Sequence, residues 1–151
     1  MILNKKTYIA FLDIDGVLTE NFEMKEGNFE YGRQVPFKLE AKENIHYLQY
    51  YTNCKFVITS TWRITLTKNE LEIAFKERGL NIKIHDVTPI LNCERGQEID
   101  VWLQCNECDD YIIIDDHVKD IRDWCKNIIE VNPNEGFSES NLNLGMKYLE
   151  K

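Results

Sequence analysis

No stretch of the chain stays apolar for anything close to the roughly 20 residues that cross a bilayer, and Met1 to Lys6 lacks the apolar core of a secretory signal. Both absences predict a cytoplasmic protein with no membrane partner. Basic residues are in deficit, with 18 Lys and Arg against 26 Asp and Glu, a net charge of -8 and a pI near 4.9. That balance excludes broad electrostatic adhesion to nucleic acid or anionic lipid, though not a local basic groove. Cysteine is too irregular for a disulfide framework: Cys54, Cys93, Cys105, Cys108 and Cys125 are odd in number. Cys105 and Cys108 have metal-knuckle spacing that Cys93 and Cys125 could complete as a zinc site, but no second close pair accompanies them, and they read as small semi-buried residues. Histidine occurs only three times, which leaves few nitrogen ligands for a metal. There is no internal repeat and no low-complexity segment.

What the chain does have is a run of apolar residues that ends in acid. Tyr8 to Thr19 reads Tyr-Ile-Ala-Phe-Leu-Asp-Ile-Asp-Gly-Val-Leu-Thr, so a strand with no polar face delivers Asp13 and Asp15 into a turn at Gly16. A strand apolar on both faces belongs inside a parallel sheet covered by helices. Residues two apart on an extended chain point the same way, and two anions held together persist only with a proton or a cation between them.

Further apolar runs alternate with amphipathic stretches, the pattern of strand-helix units around a parallel sheet. The spacing predicts strands at 55–59, 82–87, 111–114 and 128–131, and helices at 39–51, 95–104, 121–125 and 138–149. A further helix opens at the capping-box string Thr67-Lys-Asn-Glu70 and stops at Gly79. The fold expected is a three-layer, doubly wound, five-stranded parallel sheet in one domain over 1–151, with a hairpin-like insertion at about 21–36.

In such a sheet ligands bind beyond the carboxyl ends of the strands. Three strand ends carry chemistry there: Asp13 and Asp15 on the first, Thr59, Ser60 and Thr61 followed by Trp62 and Arg63 on the second, Asp115 and Asp116 on the fourth. Carboxylates and hydroxyls with few histidines favour Mg²⁺ over zinc. A helix starting after Ser60 would add backbone N–H donors for an anion. Acids around a hard cation, beside hydroxyl and amide donors, suit phosphoryl transfer.

The strings Phe11-Leu-Asp-Ile-Asp-Gly-Val-Leu18, Val57-Ile-Thr-Ser60 and Ile112-Ile-Ile-Asp-Asp116 resemble the first, hydroxyl and acidic motifs of the haloacid dehalogenase (HAD) superfamily of phosphohydrolases, in the same order and strand placement. Ser60-Thr-Trp-Arg63, Arg95-Gly-Gln-Glu-Ile99 before Trp102-Leu103, and Asn132-Pro-Asn-Glu-Gly-Phe137 are similar to the small HAD domains associated with nucleic-acid repair proteins. The resemblance implies that Asp13 is the nucleophile of an aspartyl-phosphate and Asp15 the acid and base. It implies that Asp13, the backbone carbonyl of Asp15, and Asp115 or Asp116 hold Mg²⁺. Ser60 or Thr59 would donate to the phosphoryl oxygens, with Ser60 favoured, and Arg95 or Arg63 would be the basic third motif. Gly16, Thr61 and Arg63 are further candidates for substrate contact.

With only a hairpin-sized insertion the site is expected to be open, taking either a small phosphorylated substrate or a nucleic-acid end, or using a partner subunit of an oligomer as its lid. Two rivals remain. A receiver-like phosphoacceptor domain has its acids in a different order along the chain, and a catalytically silent binding module would have little reason to keep both Asp13 and Asp15.

Overall fold

Ile9, Ala10, Phe11 and Leu12 are all buried, which no strand can achieve unless both faces of its sheet are covered. The computed structural model describes residues 5–19 and 35–149, and these residues supply both covers. Strand β1 (Tyr8–Leu12) lies at the centre of a five-stranded sheet with β2 (Lys55–Ile58), β3 (Ile84–Val87), β4 (Asp110–Asp115) and β5 (Ile128–Glu130) in the order β3-β2-β1-β4-β5. Every pairing is parallel. Strand parity divides the core in two. Ala10, Leu12, Phe56, Ile58, Ile112 and Ile114 face helices α1 (Leu39–Thr52), α2 (Lys68–Glu77) and α4 (Glu139–Leu149). Ile9, Phe11, Val57 and Ile113 face Ile99 and Trp102 of helix α3 (Arg95–Cys105), and Ile121 beyond β4. The three-layer doubly wound architecture is thus the one expected.

Register builds the functional rim. Leu12 lies opposite both Ile58 and Ile114, so the residues that follow, Asp13, Thr59 and Asp115, leave the sheet side by side. The ladder runs slightly past the strand ends: the Asp13 N–H donates to the Ile114 carbonyl at 3.1 Å and the Thr59 N–H to the Leu12 carbonyl at 3.1 Å. Strand order reverses between β1 and β4, the crevice position at which open α/β sheets bind ligands.

Local differences from expectation have local causes. Segment 121–125 forms consecutive turns on Val118 and Ile121 instead of a helix, its bonds mixing three- and four-residue spans. The capping box of α2 is present, with Thr67 and Glu70 each accepting from the other's backbone N–H. The hairpin expected at about 21–36 lies, apart from Val35 and Pro36, outside the described residues. Asn132 to Phe137 straps the rim from below: the Phe137 N–H donates to the Val17 carbonyl at 2.8 Å, and Asn44 on α1 donates to the Phe137 carbonyl at 3.0 Å. No helix among the described residues is long and apolar enough to cross a membrane.

Candidate active site

The acids converge. One carboxylate oxygen from each of Asp13, Asp115 and Asp116 can be chosen so that all lie within 4.8 Å of one another. Asp13 and Asp115 are buried and Asp116 is half-buried. Burial and the facing Asp115 push the Asp13 carboxyl well above the ordinary range, against the pull of Arg95. Asp116 is also raised, chiefly by burial. Three carboxylates in such a space need a proton or a cation among them, and all-oxygen donors suit a hard cation. The set therefore fits Mg²⁺.

Among the described residues one positive group makes ion pairs with these acids. Arg95, on the first turn of α3, places Nη1 2.7 Å from Asp115 Oδ2 and 3.4 Å from Asp13 Oδ1. Burial works against its charge, but Asp13 and Asp115 outweigh it and hold the guanidinium more firmly protonated than usual. Gly96 makes this position reachable, because a Cβ there would strike the Asp120 carbonyl at 2.6 Å and Ile121 Cα at 2.9 Å. Gly16 serves the opposite side of the site: it takes φ of +79°, and a Cβ would run into the Asp116 carboxylate. Asp15 lies beyond Asp13, and its Oδ2 accepts from the Trp62 indole N–H at 3.1 Å. Asp13, Asp15, Thr61, Arg95, Asp116 and His117 all line one open cavity of about 500 Å³. A larger hollow of about 590 Å³ around Thr7, Cys108, Asp110 and Lys126 sits at the opposite end of the sheet. No group of potential metal ligands converges there among the described residues, and the cysteines remain unpaired.

The family described as the HAD domain in Swiss Army Knife RNA repair proteins matches residues 9–142. The chain belongs to this HAD family. Among solved structures, a haloacid dehalogenase-like hydrolase from Streptococcus pneumoniae shares the fold, with a TM-score of 0.55 at 10% identity over 93% of this chain and 90% of that one. No curated protein matches the chain.

Within this HAD domain Arg63 has a different occupation from the substrate contact expected of it. Its five N–H donors all have acceptors: Nε on the Thr88 carbonyl, Nη1 on the Thr59 and Ser60 carbonyls, Nη2 on the Pro89 carbonyl and Glu98 Oε1. It borders the cavity, but it works as a clamp joining the ends of β2 and β3 to α3. Burial pulls its pKa down, with Glu98 opposing. Arg95 therefore holds the basic position beside the acids.

The two candidate hydroxyls differ in the same way. Ser60 Oγ accepts from the Trp62 N–H at 3.2 Å, capping a single 3-10 turn, Thr61–Ile64, where a helix starting after Ser60 was expected. With that N–H taken by Ser60 Oγ and the Arg63 N–H by the Ser60 carbonyl, the turn offers less to an anion than a full helix end would. Thr59 Oγ1, by contrast, is buried with no hydrogen-bond partner among the described residues. Asp115 has both oxygens occupied, Oδ2 by Arg95 and Oδ1 by the His117 N–H at 2.9 Å, whereas Asp116 faces Asp13.

Sequence reasoning missed Glu98, Gly96 and the Trp62 contact to Asp15. Glu98 left a signal: it is four residues before Trp102 and next to Ile99, so it is an acid on the buried stripe of α3, where acids survive only when paired.

Proposed function

We propose that this HAD domain is a Mg²⁺-dependent phosphomonoester phosphatase acting through an aspartyl-phosphate on Asp13. The observation that carries the reading is the meeting of Asp13, Asp115 and Asp116 beside Arg95, in a cavity that Asp15 also lines. Asp13 and Asp116 would be the direct carboxylate ligands, with the Asp15 carbonyl, while Asp115 anchors Arg95. When bound, Mg²⁺ supplies the positive charge that offsets the phosphoryl oxygens.

Asp13 attacks phosphorus and the ester P–O bond breaks. Its electron pair passes to the leaving oxygen, which takes the proton of the Asp15 carboxyl. The Asp15 carboxylate then removes a proton from a water that attacks the acyl phosphate, and Asp13 and inorganic phosphate are released. Arg95 draws Asp13 toward its ionised form and orients it. Thr59 donates its hydroxyl to a phosphoryl oxygen, which gives that buried group a partner in the complex.

The family's association with RNA repair proteins favours a terminal phosphate on a nucleotide or nucleic-acid end, and the cavity formed by the described residues is open enough to suit a bulky leaving group. The acidic net charge points to recognition of the end alone and not of a long polynucleotide. The test is hydrolysis of phosphorylated sugars, nucleotides and 3′- or 5′-phosphorylated oligonucleotides with Mg²⁺ and with chelator. Turnover that requires the metal and is highest on nucleotide or oligonucleotide ends is expected; absence of turnover across the panel would leave a binding module.

The hydroxyl assignment has its own test. Thr59→Val is expected to lower kcat/KM on the order of 10²-fold, as loss of a charge-stabilising donor does. Ser60→Ala is expected to act mainly on stability, by about 1 kcal/mol for a lost cap. Steady-state kinetics and thermal melts on the pair distinguish them, and a larger kinetic loss in Ser60→Ala would reverse the assignment.

A further inference from the structure

We propose that Trp62 is the positioning residue for Asp15, its indole N–H fixing the carboxyl so that the leaving-group oxygen is the one that receives the proton. The inference rests on the phosphatase reading and concerns one hydrogen bond within it.

Trp62 is 2% exposed and forms part of the main core cluster, yet its single polar atom lies 3.1 Å from Asp15 Oδ2. The ring is held on every side that matters for aiming that atom. Its backbone N–H is fastened to Ser60 Oγ, Phe37 packs against it at 6.2 Å between ring centroids, and the Arg78 guanidinium lies 5.2 Å from the ring centroid. The carbonyl of Trp62 also accepts from the Leu66 N–H at 3.0 Å. Indole nitrogen only donates. The contact therefore fixes one oxygen of the Asp15 carboxyl and restrains its rotation. It places a wall of the core in the service of the acid, as a supporting shell does for a reacting group.

The consequence depends on the leaving group. An alkyl phosphate expels an oxygen that must be protonated as the P–O bond breaks, whereas p-nitrophenyl phosphate expels one that is stable without a proton. Mispositioning Asp15 must therefore penalise the first ester far more than the second. kcat/KM is the quantity to compare, because it reports the steps up to phosphorylation of Asp13 and leaves out the later hydrolysis in which Asp15 serves both substrates alike.

The experiment measures kcat/KM with Mg²⁺ for glycerol 2-phosphate and p-nitrophenyl phosphate in the parent chain, in Trp62→Phe and in Phe37→Leu. Phe37→Leu loosens the same packing but keeps the indole donor. Trp62→Phe is expected to lose roughly 10-fold or more on the alkyl ester, a fraction of the 10²–10⁴ that general acid catalysis supplies, and to change by less than about threefold on the aryl ester. Phe37→Leu, which keeps the indole donor but loosens its aim, is expected to show a smaller selective loss on the alkyl ester than Trp62→Phe. Equal losses on both esters in Trp62→Phe, or a selective alkyl loss in Phe37→Leu as large as that in Trp62→Phe, would overturn the proposal. If Trp62→Phe fails to fold, Trp62 is replaced by 3-benzothienylalanine, which keeps the shape and removes the N–H; a selective alkyl loss then supports the proposal and equal losses overturn it. Absence of hydrolysis of both esters by the parent chain would instead defeat the phosphatase reading and this inference with it.

Discussion

Asp13→Asn is expected to reduce Mg²⁺-dependent phosphate-ester hydrolysis by at least about 10³-fold while making the metal-free protein more stable. The two effects have opposite signs because one carboxylate is responsible for both. As the proposed nucleophile, Asp13 needs its negative charge, and an amide of the same shape has none to offer phosphorus. In the fold, that charge is buried opposite Asp115 and Asp116 with Arg95 as the positive group beside it. Removing it relieves like-charge repulsion and leaves the 2.7 Å contact between Arg95 and Asp115 in place. A gain of about 1 kcal/mol corresponds to roughly 2–4 °C in the melting midpoint of a chain this size. The metal response should weaken as well: on the proposed reading Mg²⁺ stabilises the parent chain in proportion to its occupancy of the native state, and Asp13→Asn would lack one of the ligands. Thermal melts with chelator and across a Mg²⁺ titration, alongside the hydrolysis assay, check all three statements. Retained turnover in the variant would remove Asp13 from its role.

Glu98→Ala is expected to cost about 3–5 kcal/mol of stability, the range for breaking one side of a buried ion pair, and so to lower the melting midpoint by roughly 10 °C. Glu98 and Arg63 meet at 2.8 Å with side chains 9% and 3% exposed. Truncating Glu98 leaves the guanidinium buried with four carbonyl acceptors and no counter-charge, and it also frees the Leu91 N–H that Glu98 Oε2 accepts at 2.9 Å. Since Arg63 ties the carbonyls of Thr59, Ser60, Thr88 and Pro89 together, loosening it disturbs the hydroxyl edge of the site as well. Replacing both partners by apolar residues, as in Arg63→Met with Glu98→Leu, should recover much of the loss, because no charge is then left unpaired. Denaturant or thermal unfolding of the single and double variants measures this coupling. Additive losses in the double variant would show that the pair does not act as a unit.

The buried strands were legible in the chain because a run such as Ile112 to Ile114 has no polar face to turn toward water, and this alone requires covers on both sides. The acid ends were legible for the same reason: Asp13 and Asp115 follow such strands directly, and parallel pairing in register sets them on one rim. Turn-rich 121–125 was not legible, because its apolar spacing matches a helix while its backbone bonds close successive turns on Val118 and Ile121.

Residue order in the chain therefore determined the sheet, its two covers and the collection of carboxylates at one edge, since these follow from which residues must leave water and which cannot. Only the tertiary structure decided how the groups at that edge divide their work: Arg63 is withdrawn into a clamp and Arg95 is left beside the acids. Ser60 is taken as a cap and Thr59 is not, and Trp62 is turned from the core onto Asp15. Hydrogen-bond donors and acceptors choose among neighbours that are distant in sequence, and the winner depends on ångström-scale distances that no residue type encodes.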